Sequence, residues 1–245
     1  MTSESHHFVV RPEDIEGGDR FRLNGEEAHH LSRSARLKVG DEVFLLDGRG
    51  NARLGTIDRM EAGEVSGTIL ETLPQYHESA VRIHLGLGNL KGSRLTMVVE
   101  KGTELGIRSL TVLVMRYGVK KGVNLERLDR VALAAMKQCG RGRVPELTAS
   151  QTYEEWCANL PPQQSMVTLD SPDSLTLREW LDGVESSVSD VWITVGPEGG
   201  YHPEERRLAA HRGIPFVSLG PRRLRSETAA IAAVAACETF FSGRG

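Results

Sequence analysis

The sequence predicts an α/β protein with a small β-barrel at its N-terminus and a larger, mostly parallel sheet after it. In residues 1–74, short β-rich runs bounded by glycine or charged turns follow one another closely. From residue 80 onward, short apolar strands alternate with helical patterns, as in a parallel sheet covered by helices on both faces. A polar, proline-bearing stretch separates the two patterns, so the predicted domains are 1–74 and 79–245.

The individual elements follow from the spacing of apolar residues and from turn residues. In the first domain, strands are predicted at 7–10, 19–23, 42–46, 52–59 and 65–72, with a helix at 26–35 and a hairpin loop at 47–51. In the second domain, strands are predicted at 81–87, 110–115, 166–169, 191–195 and 216–219. The intervening helices are predicted at 95–105, 125–138, 153–160, 175–181, 203–211 and 227–240.

Composition narrows the class of protein. A chain of 245 residues with 39% hydrophobic residues can build a substantial core. Its three cysteines lie far apart, without the spacing of a disulfide framework or metal site, and the N-terminus lacks the pattern of a signal peptide. No apolar stretch approaches the length of a membrane span. We therefore expect a cytoplasmic protein with no membrane association.

The charge distribution points to a nucleic-acid partner. The net charge is only −3, but residues 81–150 carry thirteen Lys or Arg against five Asp or Glu. This basic block is either an ordinary solvated surface or the electrostatic footprint of a phosphate backbone.

Two glycine-bearing loops mark the predicted ligand site. One is Gly-Pro-Glu-Gly-Gly at 196–200, and the other follows the strand at 216–219 and contains Gly220. Ligands of open α/β sheets bind beyond the carboxyl ends of the strands, so both loops are expected to line one pocket. Glu198, Glu204 and Glu205 would repel a phosphate there, which favours a neutral or partly cationic ligand such as S-adenosylmethionine.

These loops and several upstream segments resemble the SPOUT methyltransferases, and more narrowly the family that methylates N3 of a uridine in 16S ribosomal RNA. The matching segments are 29–31, 37–41 with 47–48, 91–94, 100–106, 138–141, 196–200, 219–220 and 224–229. The resemblance implies a C-terminal SPOUT domain, Rossmann-like and containing a trefoil knot, and an N-terminal PUA-like β-barrel that binds RNA. It also implies S-adenosylmethionine as cofactor, 16S ribosomal RNA of the small subunit as substrate, and a homodimer.

The resemblance also implies the cofactor-binding residues, many of them acting through backbone groups. They are Leu169, Gly196, Pro197, Glu198, Gly199, Leu219, Gly220, Leu224, Thr228 and Ala229. Two positions depart from the family pattern. His202 stands where serine is common and puts the cap of the next helix in doubt, while Arg223 replaces a usual aliphatic residue.

Arg225 and Glu198 are the candidate catalytic residues. Uracil N3 carries a proton, and its lone pair becomes available only when that proton leaves. A guanidinium near O2 or O4 would stabilise the resulting anion, and we assign this role to Arg225. Glu198 is the nearest candidate base, although a ligand-orienting or structural role is equally open. Ser226 is expected to cap the last helix.

The candidate RNA-binding residues lie in both domains. They are Arg11, Arg22 and Arg33 in the barrel, and Lys91, Arg94, Lys101, Gln138 and Arg141 in the basic block. Alternatives remain for several of them. Lys91 and Arg94 could be solvated residues at a helix start, Lys101 could pair with Glu104, and Arg141 could offset a helix dipole.

Other interpretations of the sequence have less support. Residues 86–92 are glycine-rich after a strand, but their spacing does not match the dinucleotide-binding motif. His29 and His30 lack a third ligand at a suitable distance, so no metal is expected. The alanine-rich last helix could pack on its own sheet or at a dimer interface. The alternative function is a noncatalytic RNA-binding protein that retains the SPOUT fold.

Overall fold

The chain folds into two compact units. The computed structural model describes residues 6–31, 37–61, 63–120, 122–169, 174–185 and 187–243. The first unit comprises Met1–Glu78 and Leu133–Val144, and the second comprises Ser79–Ala132 and Pro145–Gly245. The sequence analysis assigned 133–144 to the second domain. Backbone hydrogen bonds from Gly50 to the Gly142 carbonyl and from Gly142 to the Tyr76 carbonyl, both 2.9 Å, instead join this segment to the first unit.

The first unit is built on one six-stranded sheet. Its strands are β1 (His7–Val9), β2 (Ile15–Glu16), β3 (Arg20–Asn24), β4 (Glu42–Leu46), β5 (Asn51–Glu61) and β6 (Glu64–Pro74), with a short helix α1 (Gly25–His29). The order is β1-β4-β5-β6-β3-β2, and only the described β1–β4 pair is parallel. Alternating burial along β3 places Phe21 and Leu23 in the core with Phe8 and Leu45. The short strand β2 was not predicted, and part of the predicted helix at 26–35 lies outside the described residues.

The second unit is a seven-stranded sheet in which all the described pairs are parallel. Its strands are β7 (Arg82–Gly88), β8 (Ile107–Val114), β9 (Glu146–Thr152), β10 (Ser165–Leu169), β11 (Leu175–Thr176), β12 (Asp190–Val195) and β13 (Phe216–Ser218). The helices are α2 (Ser93–Glu104), α4 (Tyr153–Ala158), α5 (Leu177–Gly183), α6 (Pro203–His211) and α7 (Ser226–Ser242). Helix α3 (Leu125–Cys139) begins in this unit, and its residues from Leu133 onward belong to the first unit. The predicted α/β class is confirmed.

Two local differences from the predicted elements have clear causes. The edge strand β9 was missed because its residues, Glu-Leu-Thr-Ala-Ser-Gln-Thr, are mostly polar and none of them is fully buried. Helix α5 starts at Leu177, two residues later than predicted, because Thr176 caps it. The hydroxyl of Thr176 accepts a hydrogen bond from the backbone N–H of Glu179, and the preceding residues pair with β13.

The strand order brings the ends of β12 and β13 close together. The order is β11-β13-β10-β12-β7-β8-β9, so β13 lies between β10 and β11, and one strand, β10, lies between β12 and β13. The loops that end β12 and β13 are brought side by side at the carboxyl edge of the sheet.

Candidate active site

The first glycine loop is shaped by close packing at its start. A Cβ atom at Gly196 would lie 2.8 Å from the Tyr201 ring, and one at Gly88 would lie 2.5 Å from Cδ of Pro197. Only glycine fits at such approaches. The Tyr201 hydroxyl donates to the carbonyl oxygen of Thr194 at 3.0 Å, which fixes the ring against the end of β12. The loop is therefore held in one conformation before any ligand binds.

Helix α6, which follows this loop, is capped by His202. Nδ1 of His202 accepts a hydrogen bond from the backbone N–H of Glu204 at 3.3 Å. In return, the Glu205 carboxylate accepts from the backbone N–H of His202 at 2.8 Å. This is a capping box with histidine in the place of serine. His202 therefore caps α6, although serine is common at this position in the family.

The second loop leads from β13 into α7. Gly220 has φ +120°, a backbone conformation that favours glycine, and its N–H donates to the Ser218 hydroxyl at 3.3 Å. The helix begins at Ser226, with Arg225 at the N-cap position and no side-chain cap. The expected capping role of Ser226 is therefore wrong, because this serine already has its place in the first turn of the helix.

The two loops line a single cavity of about 380 Å³, a size typical of small-molecule sites. Its walls are formed by Arg94, Val195, Gly196, Pro197, Glu198, Gly200, Tyr201, Arg206, Leu219, Gly220, Arg222, Arg223, Leu224, Arg225, Ser226 and Ala229. The prediction that both loops contribute to one pocket is confirmed. The apolar part of the wall comes from Val195, Leu219, Leu224 and Ala229.

The remaining predicted cofactor residues lie beside this wall. Gly199 is exposed and packs against Tyr117, since a Cβ added there would lie 2.7 Å from Cβ of Tyr117. Thr228 is exposed on the first turns of α7. For Leu169, the structure describes only the backbone, which ends β10 and pairs with Ser218 of β13.

The charge of the cavity differs from the one expected. The described lining residues include one carboxylate, Glu198, and five arginines, namely Arg94, Arg206, Arg222, Arg223 and Arg225. The cavity can therefore accept an anionic group. Of the three glutamates expected at the pocket, Glu198 lines the cavity, whereas Glu204 and Glu205 do not.

Glu204 and Glu205 are directed towards the loop after β8. The Glu205 carboxylate accepts from the backbone N–H of Arg116 at 2.9 Å. The Glu204 carboxylate accepts from the guanidinium of the same arginine at 3.1 Å. Both carboxylates therefore serve to fix a neighbouring loop.

Arg94 joins two walls of the cavity. Its Nη1 atom donates to Oε1 of Glu198 at 2.7 Å, and its Nε lies 3.6 Å from Oε1 of Glu227 in α7. Glu227 is only 7% exposed, and its Oε2 has no hydrogen-bond partner among the residues that the structure describes. Arg94, expected at the mouth of an RNA-binding cleft, thus lies in the predicted cofactor pocket.

The other predicted RNA-binding residues are divided between the two units. Arg11 and Arg22 are exposed in the first unit, and Arg22 pairs with Glu16 at 2.9 Å. Lys91 and Gln138 are exposed. Lys101 contacts Glu100 and Glu104, both at 2.9 Å, and these hydrogen bonds raise the pKa of Lys101 above its ordinary value, with the bond to Glu104 as the larger cause. Arg33 lies outside the described residues.

Arg141 is an exception, because its side chain is buried within the first unit. Only 4% of the side chain is exposed. Its Nε and Nη2 atoms donate to the two carboxylate oxygens of Glu78 at 3.0 and 2.8 Å. The RNA contact expected for Arg141 is not supported by this position. Arg141 does not serve mainly to offset a helix dipole either, because its guanidinium forms a buried two-point ion pair with Glu78.

Seven residues of the cavity wall were not among the predicted site residues. Five of them lie in or next to the two loops, namely Val195, Gly200, Arg222, Arg223 and Ser226, and the other two are Tyr201 and Arg206. Tyr201 lies just beyond the first loop, and Arg206 lies one turn into α6. The only available signal was their distance of a few residues from the Gly-Pro-Glu-Gly-Gly loop. Neither residue belongs to a segment on which the family resemblance was based.

The described residues include no group of three or more His, Cys, Asp or Glu side chains that could hold a metal ion. None of the described helices is both long enough and apolar enough to cross a membrane.

Comparison with known proteins connects this site to a family. Residues 77–238 match the RNA methyltransferase domain, and residues 23–70 match the RNA methyltransferase PUA domain. The Ribosomal RNA small subunit methyltransferase E of Bacillus subtilis is 27% identical over 95% of both chains. The enzyme of that name from Synechocystis is 29% identical over 94% of this chain and 76% of its own.

Two solved structures share the architecture over nearly the full length. One is Ribosomal RNA small subunit methyltransferase E from Neisseria gonorrhoeae bound to S-adenosyl methionine, with a TM-score of 0.83, 26% identity and coverage of 96% of this chain and 98% of that chain. The other is a putative methyltransferase from Legionella pneumophila with bound cofactor, with a TM-score of 0.79, 27% identity and coverage of 97% and 98%. The fold and the site thus define a SPOUT methyltransferase with an N-terminal PUA domain. The chain belongs to the RNA methyltransferase family.

Proposed function

We propose that this protein is an S-adenosylmethionine-dependent methyltransferase that modifies N3 of a uridine in the 16S RNA of the small ribosomal subunit. The observation that carries the proposal is the single cavity formed by both glycine loops in a chain whose relatives over nearly the full length are small-subunit RNA methyltransferases. The solved relative from Neisseria gonorrhoeae contains S-adenosyl methionine, which supports the same cofactor here.

The cavity residues fit this cofactor. Leu219, Leu224 and Ala229 offer apolar surface for an adenine ring, and the loop backbone offers hydrogen-bonding groups. The arginines can pair with the carboxylate of the methionine part, since guanidinium and carboxylate form strong two-point contacts. When bound, the cofactor supplies an electrophilic methyl group on its sulfonium.

We assign Arg225 a role on the substrate. Its exposed side chain lines the cavity just before the first turn of α7. Loss of the N3 proton leaves a negative charge that is shared with O2 and O4 of uracil. A guanidinium at the cavity would stabilise this charge as it develops, and donors directed at developing charge are among the largest contributions to catalysis.

Glu198 is assigned the ligand-orienting role that the sequence left open. Its Oε1 atom already accepts a hydrogen bond from Arg94, and Arg94 in turn lies near Glu227. This chain of contacts fixes the first loop relative to the start of α7. Glu198 therefore positions Arg94 in the cavity wall.

Charge reversal at Arg94 is expected to weaken cofactor binding. Arg94→Glu removes the contact with Glu198 and places a third carboxylate beside Glu198 and Glu227. We expect about tenfold weaker binding of S-adenosylhomocysteine, equivalent to ~1.4 kcal/mol, measured by calorimetry. Lys91→Glu is the matched control, because Lys91 is exposed and lies outside the cavity wall. Equal affinities in the two variants would show that Arg94 does not serve the cofactor.

The function itself is tested on ribosomal RNA. Mass spectrometry of 16S RNA from a strain lacking the gene should show one uridine without its N3 methyl group, and the purified protein with S-adenosylmethionine should restore it. S-adenosylhomocysteine should also raise the melting temperature of the protein. No stabilisation and no missing methyl group would instead support the noncatalytic RNA-binding protein.

The homodimer remains a prediction, which sedimentation of the purified protein can test. The buried alanines of α7, Ala230 and Ala233, favour packing within the unit for that part of the helix. A cytoplasmic location follows from the proposed substrate, because ribosomal subunits are assembled there. The three cysteines are free, which fits a reducing compartment.

A further inference from the structure

An aromatic side chain stands exposed beside the cofactor cavity. Tyr117 lies in the loop after β8, and 51% of its surface is exposed. Its ring meets the His202 imidazole edge-on, with 5.5 Å between the ring centres. Gly199 of the first loop packs directly against Cβ of Tyr117. The phenol ring therefore lies next to the loop that carries Glu198, a residue of the cavity wall.

The loop that carries Tyr117 is firmly held. The backbone N–H of Arg116 donates to Glu205 at 2.9 Å, and the N–H of Gly118 donates to the Met115 carbonyl at 3.1 Å. The side-chain amide of Asn89 donates to the Val119 carbonyl at 2.9 Å. An exposed ring on an anchored loop loses little conformational entropy when a partner stacks on it.

A second, larger cavity begins on the other side of this loop. It measures about 790 Å³ and is lined by residues that include Val114, Arg116 and Lys120. Tyr117 lies between Arg116, which lines this cavity, and Gly199, which flanks the wall of the cofactor cavity. A strand that delivers one base to the cofactor cavity thus has room to continue past Tyr117.

We propose that Tyr117 is a stacking platform for the RNA base next to the target uridine. The inference rests on the proposed function and adds a positioning residue to it. A target base must be turned out of its stack to reach the reacting methyl group, and proteins commonly hold unstacked RNA bases on aromatic rings. Tyr117 replaces the lost stacking of the neighbouring base and thereby keeps the target in place.

The surroundings of Tyr117 favour RNA over a second copy of the chain. Lys120, in the same loop, is exposed, and so is Arg116, whose guanidinium pairs with Glu204 at 3.1 Å. Cations beside an aromatic ring suit a nucleic acid strand. A stable subunit interface instead requires a well-packed contact of roughly 1,000 Å² or more with few charges at its centre. A single ring among exposed cations does not provide such a centre.

The test compares Tyr117→Ala, Tyr117→Phe and Leu175→Ala. The probe is a short single-stranded RNA with one uridine and 2-aminopurine beside it. We expect Tyr117→Ala to bind this RNA about 5- to 100-fold more weakly and to lose quenching of the 2-aminopurine, as for one lost base stack. Tyr117→Phe should stay within about twofold of the wild type because it keeps the ring. Leu175→Ala, a change at a residue that is 41% exposed and lines neither cavity, should also leave the affinity unchanged.

Three results would overturn the stacking role. These are unchanged RNA affinity in Tyr117→Ala, equal losses in the alanine and phenylalanine variants, and a changed sedimentation coefficient that would make Tyr117 a subunit contact. The affinity for S-adenosylhomocysteine serves as the control for correct folding and should be the same in all variants. Alanine at position 117 keeps the Cβ atom against which Gly199 packs. If the wild type binds no RNA, the proposed function fails as well. If it binds and methylates RNA and Tyr117→Ala does so equally, only the stacking role is wrong.

Discussion

Replacing Arg225 with alanine is expected to slow single-turnover methylation about 100- to 1,000-fold, or roughly 3–4 kcal/mol, while cofactor affinity changes little. The expected loss is large because the guanidinium interacts with charge that appears only in the transition state. Arg225→Lys should recover part of the rate, since an ammonium supplies the charge without the planar pair of donors. The measurement is single-turnover methylation at saturating S-adenosylmethionine, alongside calorimetry with S-adenosylhomocysteine.

The control for this prediction is Arg207→Ala. Arg207 is an exposed arginine of α6 that lies outside the cavity wall, and its replacement should leave both the rate and the affinity near wild type. The assignment of Arg225 is wrong if its alanine variant loses cofactor binding yet methylates at the normal rate once cofactor is saturating. Arg225 would then be a cofactor-binding residue.

Replacing Arg141 with alanine is expected to destabilise the first unit by about 3–5 kcal/mol, the usual cost of removing one partner of a buried ion pair. The Glu78 side chain is only 7% exposed and would keep its charge without the two-point contact from Arg141. Arg143, whose Nε lies 3.9 Å from Glu78, is too distant to replace that contact. Hydrogen exchange of the β5 and β6 amides measures the loss directly.

Two further variants separate stability from RNA binding. Arg141→Met combined with Glu78→Leu should be less destabilising than Arg141→Ala, because no unpaired charge stays buried. Arg11→Ala, at a side chain that is 76% exposed, should leave exchange unchanged. If Arg141→Ala keeps wild-type exchange rates but lowers the salt dependence of RNA binding, Arg141 contacts phosphate as the sequence first suggested.

The surroundings of the first loop could be predicted from the sequence only in part. The Gly-Pro-Glu-Gly-Gly segment located the cavity, because glycines between a strand and a helix mark the ligand edge of an α/β sheet. The sequence did not show that Glu204 and Glu205 contact Arg116 or that five arginines line the cavity. Arg94 is separated from Glu198 by 104 residues, so their contact has no local signal.

The sequence by itself determined the α/β class, most of the strands and helices, and the two loops that form the cavity. Periodicity and turn chemistry are local, and the geometry of a parallel sheet places the ends of its strands together. Only the tertiary structure decided that Leu133–Val144 joins the first unit, that Arg141 is buried against Glu78, and that Arg94 lies in the cavity. These features depend on contacts between residues far apart in the chain, and a side chain's direction is set by the partners that folding brings to it.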